Sequence, residues 1–366
     1  MSKLVTLNDL GYVNRGRSKH RPRNAPELYG GPYPFVQTAD IKHADLYLTE
    51  YEQTYSELGL AQSRLWPIGT LCITIAANIA DTAILGCEAC FPDSVIGFIP
   101  DEDKCDVRYV KYLFDTELQE SFQQLSQGVA QDNLSKDKLL SVKFHIPDLP
   151  IQRRIADILS AYDDLIENNR RRIAILEETA RLAYRKWFGG EVGRTVTLGS
   201  IAPFVRGKVI TQKNAISGKV PVVAGGLEPA YFHNEANTSS PVITISGSGA
   251  NAGFTRMYFE PIWASDCSWC DRIKAKWFYF AYCYLKENGE SLRNLQQGAA
   301  QPHVYPKDIN ALAVALPDSD AVLDAFELSV SPLFEQCGVL QKQSAALAAA
   351  RDMLLPRLMN ANKKEN

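Results

Sequence analysis

The sequence predicts an α+β protein: two copies of one mixed α/β domain, separated by two long antiparallel coiled-coil helices and related by a pseudo-two-fold. Three observations carry this reading. LSQGVAQ at residues 125–131 returns as LQQGAAQ at residues 295–301. Short β-type runs broken by Gly and Pro precede each copy of that heptapeptide. A long stretch with apolar residues spaced by threes and fours follows each copy.

The repeat extends well beyond the heptapeptide. Thr6-Leu7 stands before Arg15-Gly16 as Thr197-Leu198 stands before Arg206-Gly207, at an offset of 191. Pro34-Phe35-Val36 matches Pro221-Val222-Val223 at 187, and from Ile73-Thr74-Ile75 against Ile243-Thr244-Ile245 the offset is 170. The second copy is therefore shorter by 21 residues, mostly opposite the polar stretch from Gln37 to Arg64. A loop difference on a shared framework has this signature. The β-type runs are Tyr33 to Thr38, Leu71 to Ile75 and Ser94 to Ile99 in the first copy, and Val220 to Ala224 and Val242 to Ile245 in the second. Val107 to Gln123 and Lys274 to Lys286 read as helices. Without regular βαβ spacing, a doubly wound parallel sheet is not expected.

The first long helix is expected to start at Ile151, behind Asp148 and Pro150, and to end at Trp187-Phe188 before Gly189-Gly190. Its expected seam runs through Ile151, Ile155, Ile158, Tyr162, Leu165, Asn169, Ile173, Leu176, Ala180, Ala183 and Trp187. At 1.5 Å per residue it is about 55 Å long, more than a small domain needs for its own core, so it needs a partner helix. The second, Asp320 to Met359, offers Val330, Leu333, Cys337, Leu340, Ser344, Leu347 and Leu354, with Pro332 and Pro356 expected to kink or end it. The expected divisions are a first domain over 1–149, a spacer helix over 150–189, a second domain over 190–318 and a second spacer helix over 319–360. An ordinary helical hairpin linking two duplicated enzyme lobes is the competing architecture.

With 366 residues, 46% hydrophobic and 22% charged, the chain is of a size for two domains plus connectors. No apolar run is long enough for a membrane, the start MSKLVTLNDL lacks the features of a secretory signal, and the eight cysteines form no compact framework. A cytoplasmic chain with reduced thiols is expected. Catalytic signatures fail in turn. Gly247-Ser-Gly249-Ala-Asn-Ala-Gly253 follows a strand but carries one residue too many for GxGxxG. Cys87 and Cys90, bracketed by Cys72 and Cys105, suggest a four-thiolate zinc site, yet the other CxxC pair, Cys267 and Cys270, is not at the equivalent position. Buried free thiols are the preferred reading, and no metal is expected. Net charge is only −3, so nucleic-acid binding must rest on local patches such as NRGRSKHRPR at residues 14–23. The bland reading of that patch is a solvated loop. Lacking a nucleophile, cofactor loop or metal cage, the chain reads as a binder with two similar targets.

Taken together, the motifs resemble the specificity subunit of type I restriction and modification systems over nearly the whole chain. The resemblance rests on QGxAQ at Gln127 to Gln131 and Gln297 to Gln301, then Leu134 to Leu139 and Tyr305 to Ile309. It continues through FHIPDLPIQRRIADIL at Phe144 to Leu159, VALPDS at Val314 to Ser319, and the helix ends Arg181 to Phe188 and Arg351 to Leu358. The second helix departs from the pattern, with Asp318-Ser-Asp-Ala-Val322 in place of the QxxI at Gln152 to Ile155. The resemblance implies two target recognition domains, each reading one half of a split double-stranded DNA site. It implies no catalysis by this chain and no cofactor bound to it. Its partners would be two methyltransferase subunits, which use S-adenosylmethionine to methylate adenine, and in full complexes ATP-driven restriction subunits. Half-sites one turn apart lie ~34 Å from centre to centre, which the spacer could hold. The two copies differ in sequence, so an asymmetric target is expected. A duplicated protein-interaction scaffold that binds no DNA is the alternative.

Phosphate contacts call for Arg, Lys and small polar groups, and base reading for bidentate side chains. In the first domain the expected DNA contacts are Arg15, Arg17, Lys19, Arg21 and Arg23, with Gln37, Asn78, Gln127 and Gln131 at bases or groove. In the second they are Arg206, Lys208, Ser246, Ser248, Asn251, Arg256, Gln297, Gln301 and His303, with Lys307 on phosphate. For Gln127 and Gln297 the equal alternative is a side chain that holds its own loop.

Overall fold

The computed structural model of the protein describes residues 2–76, 79–118, 136–190, 193–297 and 302–361. The chain forms two compact units, Met1–Glu167 with Ala345–Asn366 and Asn168–Ser344. Both long helices, Leu149–Phe188 and Asp320–Ala361, therefore contribute to both units. Among the described residues no helix is long and apolar enough to cross a membrane.

The strands of the first unit are β1 (Lys3–Val5), β2 (Gly11–Arg15), β3 (Tyr29–Phe35), β4 (Tyr47–Leu48), β5 (Gln53–Tyr55), β6 (Leu71–Thr74), β7 (Thr82–Leu85), β8 (Val95–Pro100) and β9 (Phe144–Ile146). Five form a sheet in the order β2-β8-β6-β7-β4, antiparallel except where β4 joins β7. Both faces are covered, so β6 and β7 read as continuous apolar runs rather than alternating ones. One face carries Leu71, Ile73, Ile84 and Phe98 against helix Val107–Leu113, against Ile155 and Leu159 of the first long helix, and against Met359 of the second. The other carries Cys72, Ala83 and Leu85 beneath Trp66 and Phe91. Those two rings stack at 4.8 Å. A Cβ on Gly97 would lie 2.6 Å from the Trp66 ring, so glycine there makes room for the pair.

The second unit repeats the plan with β10 (Arg194–Thr197), β11 (Val205–Arg206), β12 (Val220–Val223), β13 (Tyr231–His233), β14 (Val242–Ser246), β15 (Thr255–Tyr258), β16 (Trp263–Ala264), β17 (Cys267–Asp271) and β18 (Ala313–Leu316). Its main sheet runs β11-β17-β14-β15, all antiparallel. In each copy the first strand pairs with the last, Lys3 opposite Ile146 and Arg194 opposite Leu316. The ends of a copy meet there, just before its long helix leaves.

The helix expected over Lys274 to Lys286 begins later, at Phe278, because Asp271 holds the preceding turn through the amide and ammonium of Lys274. The helix expected over Val107 to Gln123 is regular to Leu113 and widens into a π-helix over Phe114–Leu118. Pro332 and Pro356 do not end the second long helix, which runs through both for 42 residues. Both prolines face solvent. The carbonyls they leave without an amide donor, Leu328 and Asp352, belong to exposed residues, where water can satisfy them.

In the second unit the long helices pair antiparallel: Asn169 Nδ2 donates to Ser344 Oγ at 3.3 Å, Cys337 Sγ lies 4.0 Å from the Ile173 carbonyl, and Trp187 meets Phe326 at 5.8 Å. Ile173, Ala180, Val330, Cys337 and Leu340 fall on the expected seam. In the first unit the expected phase is wrong. Ile151, Ile158 and Leu165 are exposed, and the buried stripe is Gln152, Ile155, Ala156, Leu159, Ser160 and Asp163. Polar residues occupy buried positions because each is satisfied. Gln152 accepts from the Asp106 amide at 3.1 Å and donates to the carbonyls of Pro147 and Lys104 at 2.8 and 3.3 Å. Asp163 accepts from the Tyr112 hydroxyl and from Arg351 Nη1. Burial and the Asp163 carboxylate hold the Tyr112 phenol protonated, far above its usual range. In the second copy, where no QxxI is present, Asp320 instead pairs with Arg194 and Lys276, and Asp324 accepts from Trp277 Nε1 at 2.8 Å.

Two predictions follow from these anchors. Arg351→Ala leaves the Asp163 carboxylate buried with one partner fewer and is expected to cost roughly 3–5 kcal/mol, read as a lowered thermal midpoint, whereas Asp352→Ala on the exposed side is not. Glu327 accepts from the Phe280 amide at 2.7 Å, and burial pushes its carboxyl up to about 7 from the usual 4.5. Between those values the folded state keeps a proton that the unfolded chain has released, so this residue lowers stability as pH rises through that window. Glu327→Gln keeps the acceptor and should raise the unfolding free energy at pH 8 by on the order of 1–3 kcal/mol, read as a higher melting midpoint, with the gain vanishing near pH 4.5.

Candidate nucleic-acid interface

In the first unit β2 runs directly into the basic stretch. A Cβ on Gly16 would lie 2.3 Å from the carbonyl oxygens of both Phe91 and Pro92, and its amide bonds the Val95 carbonyl at 2.9 Å. Only glycine lets the chain cross there. The backbone beyond is tied inward: the Arg17 amide donates to the Phe91 carbonyl at 3.0 Å, and the Arg17 carbonyl accepts from Ser63 Oγ at 2.7 Å. Gln62 Oε1 accepts from the amides of Lys19 and His20 at 2.6 and 3.0 Å. With the backbone held, the side chains of Arg15, Arg17 and Lys19 stand in solvent, and among the described residues no carboxylate pairs with them. Arg21 and Arg23 differ. Arg21 folds onto the carbonyls of Ser18 and His20 at 2.9 and 2.7 Å, and Arg23 Nη2 donates to both carboxylate oxygens of Asp93 at 3.0 Å. Gln37 precedes helix Thr38–His43, where its amide bonds Asp40 at 2.7 Å and its side chain donates to Gln53 at 2.8 Å. Asn78, Gln127 and Gln131 lie outside the described residues.

Sequence reasoning missed Arg64 and Lys136. The Arg64 guanidinium sits 4.2 Å from the Trp66 ring centroid and 4.9 Å from that of Tyr12, and donates to the Tyr12 hydroxyl at 2.8 Å. Asn14 Nδ2 donates to the same oxygen at 2.8 Å, and Lys136 reaches Asn14 at 3.2 Å. The donors Asn14 and Arg64 lower the Tyr12 phenol below its usual range. A planar cation stacked and hydrogen-bonded in this way is fixed before any ligand arrives. The only sequence signal was an arginine two residues before the aromatic Trp66, at the end of the stretch that the second copy lacks.

The second unit uses the same device. A Cβ on Gly207 would lie 2.2 Å from the Ser265 carbonyl oxygen, and its amide bonds the Cys267 carbonyl at 2.8 Å. Arg206 is left exposed, 3.9 Å from Asp266, and the Lys208 ammonium lies 5.8 Å from the Trp263 ring. The connection after β14 meets the returning heptapeptide segment. Gln297 and His303 exchange two backbone hydrogen bonds of 2.9 Å, the Gly249 amide reaches the Pro302 carbonyl at 3.0 Å, and the Val304 amide reaches that of Gly247 at 3.1 Å. Ser248 Oγ donates to Asp266, the carboxylate beside Arg206. His303 stacks on Tyr305, whose ring also lies 5.9 Å from the Lys307 ammonium. Arg206, Ser248, Gln297, His303 and Lys307 thus gather around one connection.

Other expected residues are placed differently. Ser246 is buried, its hydroxyl donating to the Gly225 carbonyl at 3.0 Å. Arg256 is held by Leu227 and Glu228 at 2.7 and 3.0 Å. Gln297 Nε2 donates to Asp308 at 3.1 Å, so its side chain helps to hold the segment. Asn251 ends the turn Gly249–Asn251, half-exposed, and Gln301 lies outside the described residues. The glycine-rich run leads through that turn to β15, so the connection is strand to strand, without the helix that a phosphate loop opens.

All eight cysteines carry free thiols. β17 sends Cys267 to one face of its sheet and Cys270 to the other, each in a different core cluster, so this CxxC cannot converge on one ion. Burial pushes both thiols up to about 12.

What the surface can offer is exposed cations, with amide and imidazole groups on braced connections. The sequence profile described as type I restriction modification DNA specificity domain matches residues 2–178 and 193–325. Over 401 aligned residues the chain is 25% identical to the type I restriction enzyme MjaIX specificity subunit of Methanocaldococcus jannaschii, covering 96% of this chain and 91% of that one. In fold it is similar to the crystal structure of a type I restriction-modification system S subunit from M. genitalium, with a TM-score of 0.60 and 18% identity over 98% of this chain and 96% of the other.

Gly16→Ala and Gly207→Ala are each expected to lower stability by about 1–3 kcal/mol through overpacking. Arg15→Ala and Arg206→Ala, whose side chains are exposed, should stay within about 0.5 kcal/mol of the parent. Thermal unfolding of the four variants checks both expectations.

Proposed function

Because the chain belongs to the type I restriction modification DNA specificity family, we propose that each of its two copies reads one half of a split, asymmetric duplex site. Specificity subunits of this family select the DNA sequence and have no catalytic role of their own. The methyl transfer belongs to partner methyltransferase subunits, two per chain, which use S-adenosylmethionine on adenine, and cleavage to restriction subunits that join them.

One observation carries the reading of the second copy: Ser248, Gln297 and His303 are brought together by the backbone, with Arg206 and Lys307 beside them. Ser248 and Gln297 each donate one bond within the protein, to Asp266 and Asp308, and keep their oxygens as acceptors; with the His303 imidazole, and between two cations, these groups suit a base edge flanked by phosphates. In the first copy Arg15, Arg17 and Lys19 take the phosphates, Arg64 is a base or groove contact, and Asn78 and Gln127, which correspond in sequence to Ser248 and Gln297 at the offset of 170, are the matching candidates. Arg21, Arg23, Gln37, Ser246 and Arg256, each engaged within the protein, act by shaping the surface. Lys208 and Asn251 lie at its margin, and Gln131 and Gln301 close the two repeated segments.

The test uses the chain co-purified with its methyltransferase. Methylated adenines mapped in host DNA define the target duplex, whose binding is followed across ionic strength. Glu at Arg15, Arg17 and Lys19 should weaken binding by at least tenfold and make the salt dependence shallower by about 0.9 in log–log slope for each phosphate contact removed. Unchanged binding by a variant that melts like the parent would sink the DNA reading of this stretch.

A further inference from the structure

The connection that joins Ser248 to His303 also walls an open cleft of about 330 Å³ in the second unit. Its opposite wall is helix Phe278–Glu287 and the short helix Gly289–Asn294 that follows. Lys286 and Arg293 line it, no acidic residue does, and among the described residues no carboxylate pairs with either cation. Glu287, the acid next to Lys286, is held by Arg181 and Arg185 at 3.0 and 2.6 Å. The wall is fixed rather than loose. Gln296 Nε2 donates to the Ala252 carbonyl at 2.9 Å, and Gly253, at φ 87°, turns the chain back so that its amide bonds the Ser246 carbonyl at 2.9 Å.

Two cations with no carboxylate paired to them among the described residues favour an anion, since Glu287 is taken up by arginines and Glu290, on the helix of Arg293, is not among the lining residues; a space at the small end of ligand sites suits a phosphate with its sugar rather than a cofactor. The cleft shares its wall with the residues proposed to face DNA, so the anion is most economically the same molecule. We propose that Lys286 and Arg293 seat a backbone phosphate of the duplex at the flank of the second half-site, a contact independent of sequence. The assignment rests on the DNA reading given above and extends it to two residues that reading does not use.

The experiment measures the salt dependence of target-duplex binding by the chain with its methyltransferase, for the parent, for Lys286→Ala with Arg293→Ala, and for Arg293→Lys. The double replacement is expected to make the log–log slope shallower by about 0.9 for each lost contact, about 1.8 in all, weakening target and scrambled duplex alike and leaving the methylated sequence unchanged. Arg293→Lys should keep the parental slope. If alanine lowers the melting midpoint, glutamine at both positions carries the same test. A steep parental slope that the double replacement leaves in place overturns this assignment alone, as does a changed methylation sequence, which would mean base reading. Stabilisation of the parent by inorganic phosphate, lost in the double variant, would give the cleft to a free anion and overturn it too. A flat parental slope would sink the DNA reading and this assignment together.

Discussion

A helix of 40 residues carries more apolar face than one small domain can cover, and the architecture depends on where that face is buried. The first long helix gives Ile155, Ala156 and Leu159 to the core of the first unit and Ala180 and Tyr184 to the core of the second. The second long helix gives Leu323, Phe326, Val330 and Phe334 to the second unit and Met359 to the first. Neither core is complete with the residues of its own copy. The duplication has therefore produced two domains that fold on shared helices, and the integrity of each core is tied to the integrity of both helices.

Buried polar groups fix the phase of this sharing. Asn169 with Ser344 is a pair inside the helical seam, and polar pairs of this kind select a register at some cost in stability. Gln152 joins the helix start to the loop before helix Val107–Leu113, and Asp163 joins three helices through Tyr112 and Arg351. An apolar-only stripe would allow the helices to slide by a turn. These groups are satisfied in one register, so the cores above them are built one way.

The surface proposed to face DNA depends on a second constraint, the close crossing at Gly16 and Gly207. Each glycine lets a strand pass against a neighbouring backbone, and in each copy the residue before it is an exposed arginine. Around these fixed points the copies diverge. The first sets Arg64, at the end of its extra stretch, on Trp66 and on Tyr12 of β2, and the second has a strand connection that bridges to Gln297 and His303. A common framework with different surface groups is what the proposed reading of two unlike half-sites requires.

The duplication, the paired helices and the order of elements were legible in the sequence because they rest on periodicity and on spacing, which the chain displays directly. The seam in the second unit was legible for the same reason, through Ala180, Val330 and Cys337. Its phase over Ile151 to Leu165 was not, since counting apolar residues cannot show that Gln152 and Asp163 find partners 46 and 51 residues away in Asp106 and Tyr112. Nor could spacing show that Pro332 and Pro356 face water and leave their helix intact. Among the basic residues, sequence identified the patch but only the fold separated Arg15, Arg17 and Lys19 from Arg21 and Arg23, because whether a cation is free depends on which carbonyls and carboxylates the tertiary structure brings within reach. Arg64 joined them through stacking on side chains distant in sequence or buried beneath it. Local pattern determined what the chain is made of, and long-range satisfaction of polar groups decided which of its residues remain available to a ligand.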